Sequence, residues 1–185
     1  MTVDAGPHDA RDLPPRGPRV VLVGPMGVGK TTVGRLLAER LDTDFRDTDE
    51  DVVATAGKPV AEIFFDEGEE HFRALERQAV ATALTEHDGV LSLGGGAVMA
   101  EETRRRLAGR PVVLLTMDVA EAVRRTGLDA PRPLLAVNPR QQWRRLMEER
   151  LPLYTEVARV VVDTGGRGPE EVAEEILAAL ELSRP

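Results

Sequence analysis

The stretch "GPMGVGKT", Gly24 to Thr31, contains the residue types that point most directly to chemistry. It matches the pattern G-x-x-x-x-G-K-[ST], in which glycines let backbone N–H groups surround phosphate oxygens. In such a loop Lys30 can reach the β- and γ-phosphates, and the Thr31 hydroxyl can bind Mg²⁺. The apolar run "RVVLVG" leads into the motif and the helical pattern "GKTTVGRLLAERL" leaves it. This context predicts a nucleoside-triphosphate site rather than a chance match in a glycine-containing turn.

The loop alone leaves the phosphate acceptor open, since it could be water or a small molecule. A GTPase should carry a guanine-selecting N-K-x-D, and the sequence has none. ATPases and motors usually carry an apolar strand that ends in Asp or Asp-Glu, whereas the run "VLSL" ends in three glycines, Gly94 to Gly96. These two features favour a compact kinase.

The acidic run "DTDED", residues 47–51, contains four carboxylates. Asp47 ends a short predicted strand, at the sheet edge where open α/β folds bind ligands, and could hold Mg²⁺ there through its waters. Asp49 is expected nearby, where it could hydrogen-bond an acceptor hydroxyl. Glu50 and Asp51 fall in the first turn of a helix, where negative charge is favourable by about 0.3–1 kcal/mol. We therefore assign function to Asp47 and Asp49 and a helix-start role to Glu50 and Asp51.

Four further features could meet an anionic substrate group. Arg73 and Glu76 are three residues apart on one helix face, but this spacing alone favours a surface ion pair. The glycine run 94–96 at the end of a buried strand favours close backbone approach to a ligand. Arg132 lies in a proline-bearing loop and could close over the γ-phosphate as a lid residue. Arg150 is predicted at a helix end, where it could equally be a partner of the helix dipole.

Strands alternate with helices along the chain, which predicts a parallel sheet covered on both faces. The stretch 127–139 breaks the periodicity with three prolines, and about 127–138 of it is predicted to be a loop or lid. The penultimate helix is predicted to stop before Pro152. The predicted strands are at 19–24, 44–46, 89–96, 110–117 and 158–164, and the other predicted helices at 29–41, 48–56, 59–66, 69–86, 100–108, 119–127 and 168–182.

Composition limits the class of protein. The 185 residues fit one domain, 19–185, preceded by a disordered tail at 1–18. There is no cysteine and only three scattered histidines, so thiolate chemistry and a zinc site are not expected. A net charge of −8 and six aromatic residues argue against a nucleic-acid partner. No apolar run approaches the roughly 18 residues of a membrane span, and the start lacks a signal-peptide core, so a cytoplasmic protein is expected.

Six segments together resemble the shikimate kinases: "GPMGVGKTT", "DTDEDV", "IFFDEGEEHFRALE", "LSLGGGAV", "RPLL" and "ERLPLY". They follow the order and approximate spacing of that family over about residues 19–170. The resemblance implies a three-layer α/β/α P-loop kinase fold with a central five-stranded parallel sheet, a substrate-binding region at about 48–76 and a mobile lid. It also implies ATP- and Mg²⁺-dependent phosphorylation of the 3-hydroxyl of shikimate by a monomer.

The resemblance further implies a role for individual residues. Lys30, Asp49 and Arg132 would be catalytic, with Asp49 either a general base or only a group that positions the hydroxyl. Thr31 and Asp47 would hold the metal, and Glu76 would support Arg73. The ATP contacts would be Gly27, Val28, Gly29, Lys30, Thr31, Thr32, Arg125, Arg132, Arg167 and Pro169. The shikimate contacts would be Asp49, Phe64, Phe72, Arg73, Gly95, Gly96 and Arg150.

Two rival functions remain on this scaffold. A gluconate kinase or a nucleoside monophosphate kinase is the nearest, although the latter usually follows the loop lysine with Gly-Thr rather than Thr31-Thr32. A non-catalytic ATP-binding regulator is the second, and the presence of Asp47, Asp49 and Arg132 argues against it.

Overall fold

A five-stranded parallel sheet forms the centre of the molecule, in the order β2-β3-β1-β4-β5. The computed structural model describes residues 16–126, 138–183 and 185. The sheet and its parallel pairing confirm the fold class expected from the sequence. Its strands are β1 Val20–Val23, β2 Phe45–Asp47, β3 Val90–Ser92, β4 Val112–Thr116 and β5 Val160–Asp163.

Strand β1 is apolar at every position because both of its faces are buried. In β1, Val20 and Leu22 pack into one hydrophobic cluster, whereas Val21 and Val23 pack into a second cluster on the opposite face. Successive side chains of a strand point to opposite sides, so a strand covered on both sides needs an unbroken apolar run. This is the physical basis of the "VVLV" signal.

Helices cover both faces of the sheet and complete three layers. Side chains of α1 and α7 join the first cluster, and side chains of α3, α4 and the C-terminal part of α6 join the second. The helices are α1 Lys30–Arg40, α2 Thr48–Ala56, α3 Val60–Glu86, α4 Glu101–Leu107, α5 Val119–Thr126, α6 Pro139–Val157 and α7 Pro169–Ala179, with a 3₁₀ turn at Ala97–Met99.

Helix α6 corrects one prediction, because it continues through Pro152 to Val157 rather than stopping before the proline. Proline lacks an N–H and costs a helix one hydrogen bond. Tyr154, two residues later, is fully buried in the second hydrophobic cluster, and this packing favours continuation of the helix. Tertiary packing therefore outweighs the local signal.

The predicted break between helices 59–66 and 69–86 appears as an interruption within α3. Gly68 has the backbone angles φ 86° and ψ 170°, which lie outside the helical region. Only glycine adopts this conformation without strain. The chain therefore changes direction at Gly68, and the helical segment that follows carries Phe72, Arg73 and Glu76.

Parts of two predictions lie outside the described residues: the tail up to residue 15, and the lid 127–137 with Arg132. Pro18, which the sequence placed in the tail, is buried, and the Arg19 N–H donates to the Gly89 carbonyl at 2.8 Å. Within the described ranges, no helix is both long enough and apolar enough to cross a membrane.

Gly34 of α1 provides a test of how the first layer packs. A Cβ at this position would lie 2.3 Å from Cε2 of Phe45, so we expect Gly34→Ala to destabilise the protein. Overpacking costs about 1–3 kcal/mol, which exceeds the gain of up to about 1 kcal/mol in helix propensity. The measurement is the free energy of unfolding in urea.

Phe45→Leu provides the matched background, because it shortens the obstructing side chain. Gly34→Ala should destabilise this background less than it destabilises the wild type. An equal loss in both backgrounds would contradict the proposed steric cause.

Candidate active site

The predicted functional residues meet at the edge of the sheet where the parallel strands end. The phosphate-loop motif follows β1, Asp47 is the last residue of β2, and the glycine run 94–96 follows β3. Open α/β sheets bind ligands along this edge. The sheet therefore brings together segments that are far apart in sequence.

The loop between β1 and α1 forms an anion cradle. Gly29 precedes α1 with a left-handed φ of 100°, and the first turn of this helix contains no acidic residue. The Lys30 ammonium group donates to the carbonyls of Gly24 at 2.7 Å and Pro25 at 3.1 Å. A helix start that combines exposed N–H donors with a lysine is suited to phosphate.

A cavity of about 310 Å³ lies beside this cradle, within the size range of small-molecule sites. The Arg125 guanidinium is fixed at its rim, because it donates to the Val28 carbonyl at 3.2 Å and pairs with Glu121 at 2.8 Å. The cavity thus brings together seven of the predicted nucleotide contacts. Its lining consists of Gly27, Val28, Gly29, Thr32, Val33, Arg125, Thr164, Arg167, Pro169 and Val172.

Asp47 is the N-cap of α2, and its side chain accepts a hydrogen bond from the Asp49 N–H at 2.8 Å. Burial, together with repulsion from Asp49, raises the pKa of Asp47 to about 6, although the charge of Lys30 opposes this shift. An ionised Asp47 therefore favours a cation beside it.

The donors near Asp47 are compatible with Mg²⁺. Carboxylate and hydroxyl oxygens, supplied by Asp47 and Thr31, are ligand types that Mg²⁺ accepts, and Mg²⁺ commonly keeps several waters and substrate phosphates as its other ligands. Within the described residues there is no cluster of three or more metal-binding His, Asp or Glu side chains. A magnesium ion here would thus depend on phosphate oxygens as well as protein groups.

Gly94 starts the glycine run and lies against two carboxylates. A Cβ at Gly94 would be 2.6 Å from Oδ1 of Asp49 and 2.8 Å from Oε2 of Glu76. A side chain at this position would displace both acids, so the close approach requires glycine. Asp49 is thereby held beside the main chain at the end of β3.

The next two glycines approach two arginines in the same way. A Cβ at Gly96 would be 2.3 Å from Nη1 of Arg73, and one at Gly95 would be 3.4 Å from Nη1 of Arg150. Charged side chains from three helices, α2, α3 and α6, therefore contact the glycine run. Two guanidinium groups and a carboxylate that converge in this way are suited to an acceptor with both a carboxylate and a hydroxyl.

Arg73 and Glu76 form a buried ion pair rather than the surface pair that their spacing favoured. The Arg73 Nη1 atom lies 2.8 Å from Oε1 of Glu76, and Glu76 is only 3% exposed. Burial raises the pKa of Glu76, and the charges of Arg73 and Arg150 oppose that shift. Spacing along one helix could not reveal that this face of α3 packs against the end of β3.

The sequence left open whether Arg150 is a partner of the helix dipole at a helix end. It is not, because it lies seven residues before the end of α6. Its residue is 4% exposed. The Nε atoms of both Arg73 and Arg150 are buried and have no hydrogen-bond partner among the described residues. Buried donors normally have acceptors, and a carboxylate would supply them.

Phe64 and Phe72 provide an apolar wall beside the arginines. Their ring centroids are 4.7 Å apart, and the Cζ atom of Arg73 lies 5.3 Å from the centroid of the Phe72 ring. The ring contact helps to fix the guanidinium plane. The wall and the charged groups form one surface.

Three hydroxyl-bearing residues were missed by the sequence reasoning. Thr48 accepts a hydrogen bond from the Gly94 N–H, Tyr154 donates to the Gly95 carbonyl, and Thr164 lines the nucleotide-side cavity. Thr48 stands between Asp47 and Asp49, and Tyr154 follows Arg150 by one helical turn. For Thr48 and Tyr154, proximity in sequence to residues already assigned to the site was the signal that could have found them.

The strand order, the phosphate loop after β1 and the charged pocket at the same sheet edge define a P-loop kinase of small molecules. The family model described as "Shikimate kinase" matches residues 26–181. The chain belongs to the shikimate kinase family.

Individual relatives agree with this assignment. The chain is 68% identical to the shikimate kinase of Streptomyces avermitilis, over 89% of this chain and 96% of the relative. It is 60% identical to the shikimate kinase of Salinispora arenicola, over 88% of this chain and 98% of the relative. The solved structure "Shikimate kinase from Acinetobacter baumannii in complex with shikimate" superposes with a TM-score of 0.85 at 39% identity, covering 90% of this chain and 93% of that chain.

The raised pKa of Asp47 has a consequence for stability in the absence of nucleotide and metal. Because the folded pKa of about 6 exceeds the unfolded value of 3.8, the folded state loses stability as pH rises between these values and does not regain it above them. Asp47→Asn keeps a cap acceptor but removes the charge. We therefore expect its melting temperature in EDTA to exceed that of the wild type at pH 7.5, by about 2–4 °C for each kcal/mol.

The difference should shrink as pH falls from 6 towards 4.5, where the wild-type carboxyl is protonated in the fold. The exposed carboxylate of Asp44 offers the control, since Asp44→Asn should change the melting temperature little at either pH. A stabilisation by Asp47→Asn that is independent of pH would contradict this explanation.

Proposed function

We propose that this protein transfers the γ-phosphoryl group of ATP to the 3-hydroxyl of shikimate, giving shikimate 3-phosphate and ADP on the route to aromatic amino acids. The observation that carries the proposal is the convergence of two buried guanidinium groups, Arg73 and Arg150, with Asp49 on the glycine run. Shikimate has one carboxylate and three hydroxyls, which match these groups. The names of the relatives support the same substrate.

The nucleotide half of the reaction uses the phosphate loop and the adjoining cavity. Backbone N–H groups of the loop and Lys30 bind the phosphates, while Arg125, Arg167 and Pro169 flank the adenine. Thr31 and Asp47 would hold Mg²⁺, Asp47 through waters. The bound ion would supply positive charge to the phosphates.

The acceptor half uses the groups around the glycine run. Arg73 and Arg150 bind the carboxylate of shikimate, and Glu76 holds the Arg73 guanidinium in place through the 2.8 Å ion pair. Phe64 and Phe72 cover the apolar part of the ring. Close backbone approach at Gly95 and Gly96 completes the pocket.

In the transfer step, the 3-hydroxyl oxygen bonds to the γ-phosphorus as the bond to the ADP oxygen breaks. Asp49 accepts the hydrogen bond of this hydroxyl and takes its proton. Such transfers pass through a loose transition state in which positioning and charge stabilisation dominate. Lys30 supplies positive charge to the phosphoryl oxygens, and the sequence resemblance assigns Arg132 the same task from the lid.

The direct test is ADP formation from ATP and Mg²⁺ with shikimate, with gluconate and AMP as alternative acceptors. We expect turnover with shikimate alone. Turnover with gluconate or AMP instead would assign Asp49, Arg73 and Arg150 to another acceptor. ATP binding without turnover on any hydroxylated acid would support the non-catalytic regulator.

We further propose that the protein works in the cytoplasm as a monomer without a nucleic-acid partner. The sequence resemblance implies the monomer, and the net charge of −8 disfavours binding to nucleic acid. Light scattering during size-exclusion chromatography should give the 20.2 kDa mass of one chain.

Lys30→Ala tests the electrostatic part of the mechanism. Removal of one preorganised positive donor at the transferred group should lower kcat by about 10²–10³-fold. The variant should remain folded, because the rest of α1 is unchanged. Arg105→Ala removes a positive charge from the exposed surface of α4 and should leave kcat within about twofold of the wild type. A kcat for Lys30→Ala close to that of the wild type would contradict the assigned role.

Arg73→Ala tests the acceptor assignment. Loss of a buried charged partner should raise the KM for shikimate by about 30-fold or more, since such pairs are worth about 2–5 kcal/mol. The KM for ATP should change by less than about twofold, because Arg73 lies on the glycine run and not in the nucleotide-side cavity. If Arg73→Ala bound shikimate as tightly as the wild type, the carboxylate assignment would be wrong.

A further inference from the structure

Two buried residues, Thr48 and Tyr154, hydrogen-bond the backbone of the glycine run through their hydroxyl groups. The Thr48 Oγ1 atom accepts a hydrogen bond from the Gly94 N–H at 3.3 Å, and the Tyr154 hydroxyl donates to the Gly95 carbonyl. Thr48 and Tyr154 are both 0% exposed. Thr48 belongs to α2 and Tyr154 to α6, so two separate helices fix two successive glycines.

The glycine run needs external support because its own residues supply none. Glycine has the greatest conformational freedom of any residue and no side chain to pack. At Gly94 and Gly96, charged atoms of Asp49 and Arg73 lie where a Cβ would be, at 2.6 Å and 2.3 Å. A shift of the run would change its distances to those groups, and misplacement by about 1 Å can cost 10²-fold in rate.

Tyr154 connects the run to one of the acceptor arginines. It follows Arg150 by one turn, so both side chains lie on the same face of α6. Burial raises the pKa of Tyr154 to about 12, against the effect of the positive charge of Arg150. The hydroxyl therefore keeps its proton at neutral pH and remains a donor to Gly95.

Thr48 connects the run to the acidic side of the site. It stands between Asp47 and Asp49, and its main chain belongs to the helix start that Asp47 caps. The bond from Gly94 N–H to Thr48 therefore links the end of β3 to the segment that carries Asp49. Tyr154 and Thr48 thus fix the same three-residue run relative to two different helices, α6 and α2.

We propose that Thr48 and Tyr154 are positioning residues for the phosphate acceptor, which act through the glycine run and not by contact with substrate. This inference rests on the function proposed above. It identifies the two hydroxyl groups that set the distances between Asp49, Arg150 and the backbone at Gly95. Neither residue lines the nucleotide-side cavity, so nucleotide binding should depend on them much less.

Thr48→Val and Tyr154→Phe remove each hydroxyl with little change of shape. We expect each to raise the KM for shikimate by roughly tenfold, the effect of one unsatisfied buried group, and to leave the KM for ATP within about twofold. Thr48→Ser keeps a hydroxyl and should restore the KM for shikimate. Thr103→Val is the matched control, a buried threonine in α4 outside the site.

A purely structural role would give a different result. It would lower the melting temperature of both variants while the two KM values stayed unchanged or rose together, and either outcome would overturn the proposal. Thr48→Ser with the same KM as Thr48→Val would also overturn it for Thr48. Tyr154→Phe should raise the KM for shikimate less in an Arg150→Ala background than it does in the wild type.

Amide hydrogen exchange provides a readout that needs no substrate. A peptide covering residues 93–99 should exchange faster in Thr48→Val and Tyr154→Phe than in the wild type, and unchanged exchange in both would overturn the proposal. Wild-type turnover with shikimate is measured first, because its absence would overturn the proposed function. Normal turnover with an unchanged KM for shikimate in both variants would overturn only the positioning role.

Discussion

A buried charge has to be paired, and this protein buries two guanidinium groups and a carboxylate around one short run of glycines. Arg73 and Arg150 reach that run from different helices, and Glu76 pairs with the first of them at 2.8 Å. Isolated burial of such groups would cost several kcal/mol each. The arrangement is tolerable because the opposite charges lie close together and because a carboxylate ligand can satisfy the donors that remain. The requirement for glycine at 94 and 96 follows from it.

On the acidic side of the site, like charges lie close together, so Asp47 and Asp49 repel each other at the end of β2. Asp47 gains a backbone hydrogen bond as the cap of α2, and Lys30 lies near enough to offset part of the repulsion. The net charge of −8 therefore does not prevent the binding of a polyanion. Local positive charge, fixed by the loop and by α1, decides what binds at this edge, whereas the net charge acts at longer range and is screened.

The sequence predicted the features that depend on local pattern. The apolar run of β1, the phosphate loop and the first turn of α2 are each specified by neighbouring residues, and all lie where expected. Features that depend on packing between distant segments were wrong or missed. Pro152 lies within a helix because Tyr154 is buried beyond it, and the Arg73–Glu76 pair is buried because α3 packs on β3. The hydrogen bonds of Thr48 and Tyr154 join residues 46 and 59 positions apart, which no spacing rule detects.

Helix α6 also places an aromatic side chain against the phosphate loop. Trp143, the single tryptophan of the chain, is 4% exposed and borders a small apolar cavity together with Pro25 and Met26. Eleven residues further along, the same helix contributes Tyr154 to the acceptor side. The chain thus contains a single indole fluorophore, which lies on the helix that carries Arg150 and packs against the phosphate loop. Its emission spectrum reports on the environment of the loop, so nucleotide occupancy becomes measurable in the unmodified protein without an added dye.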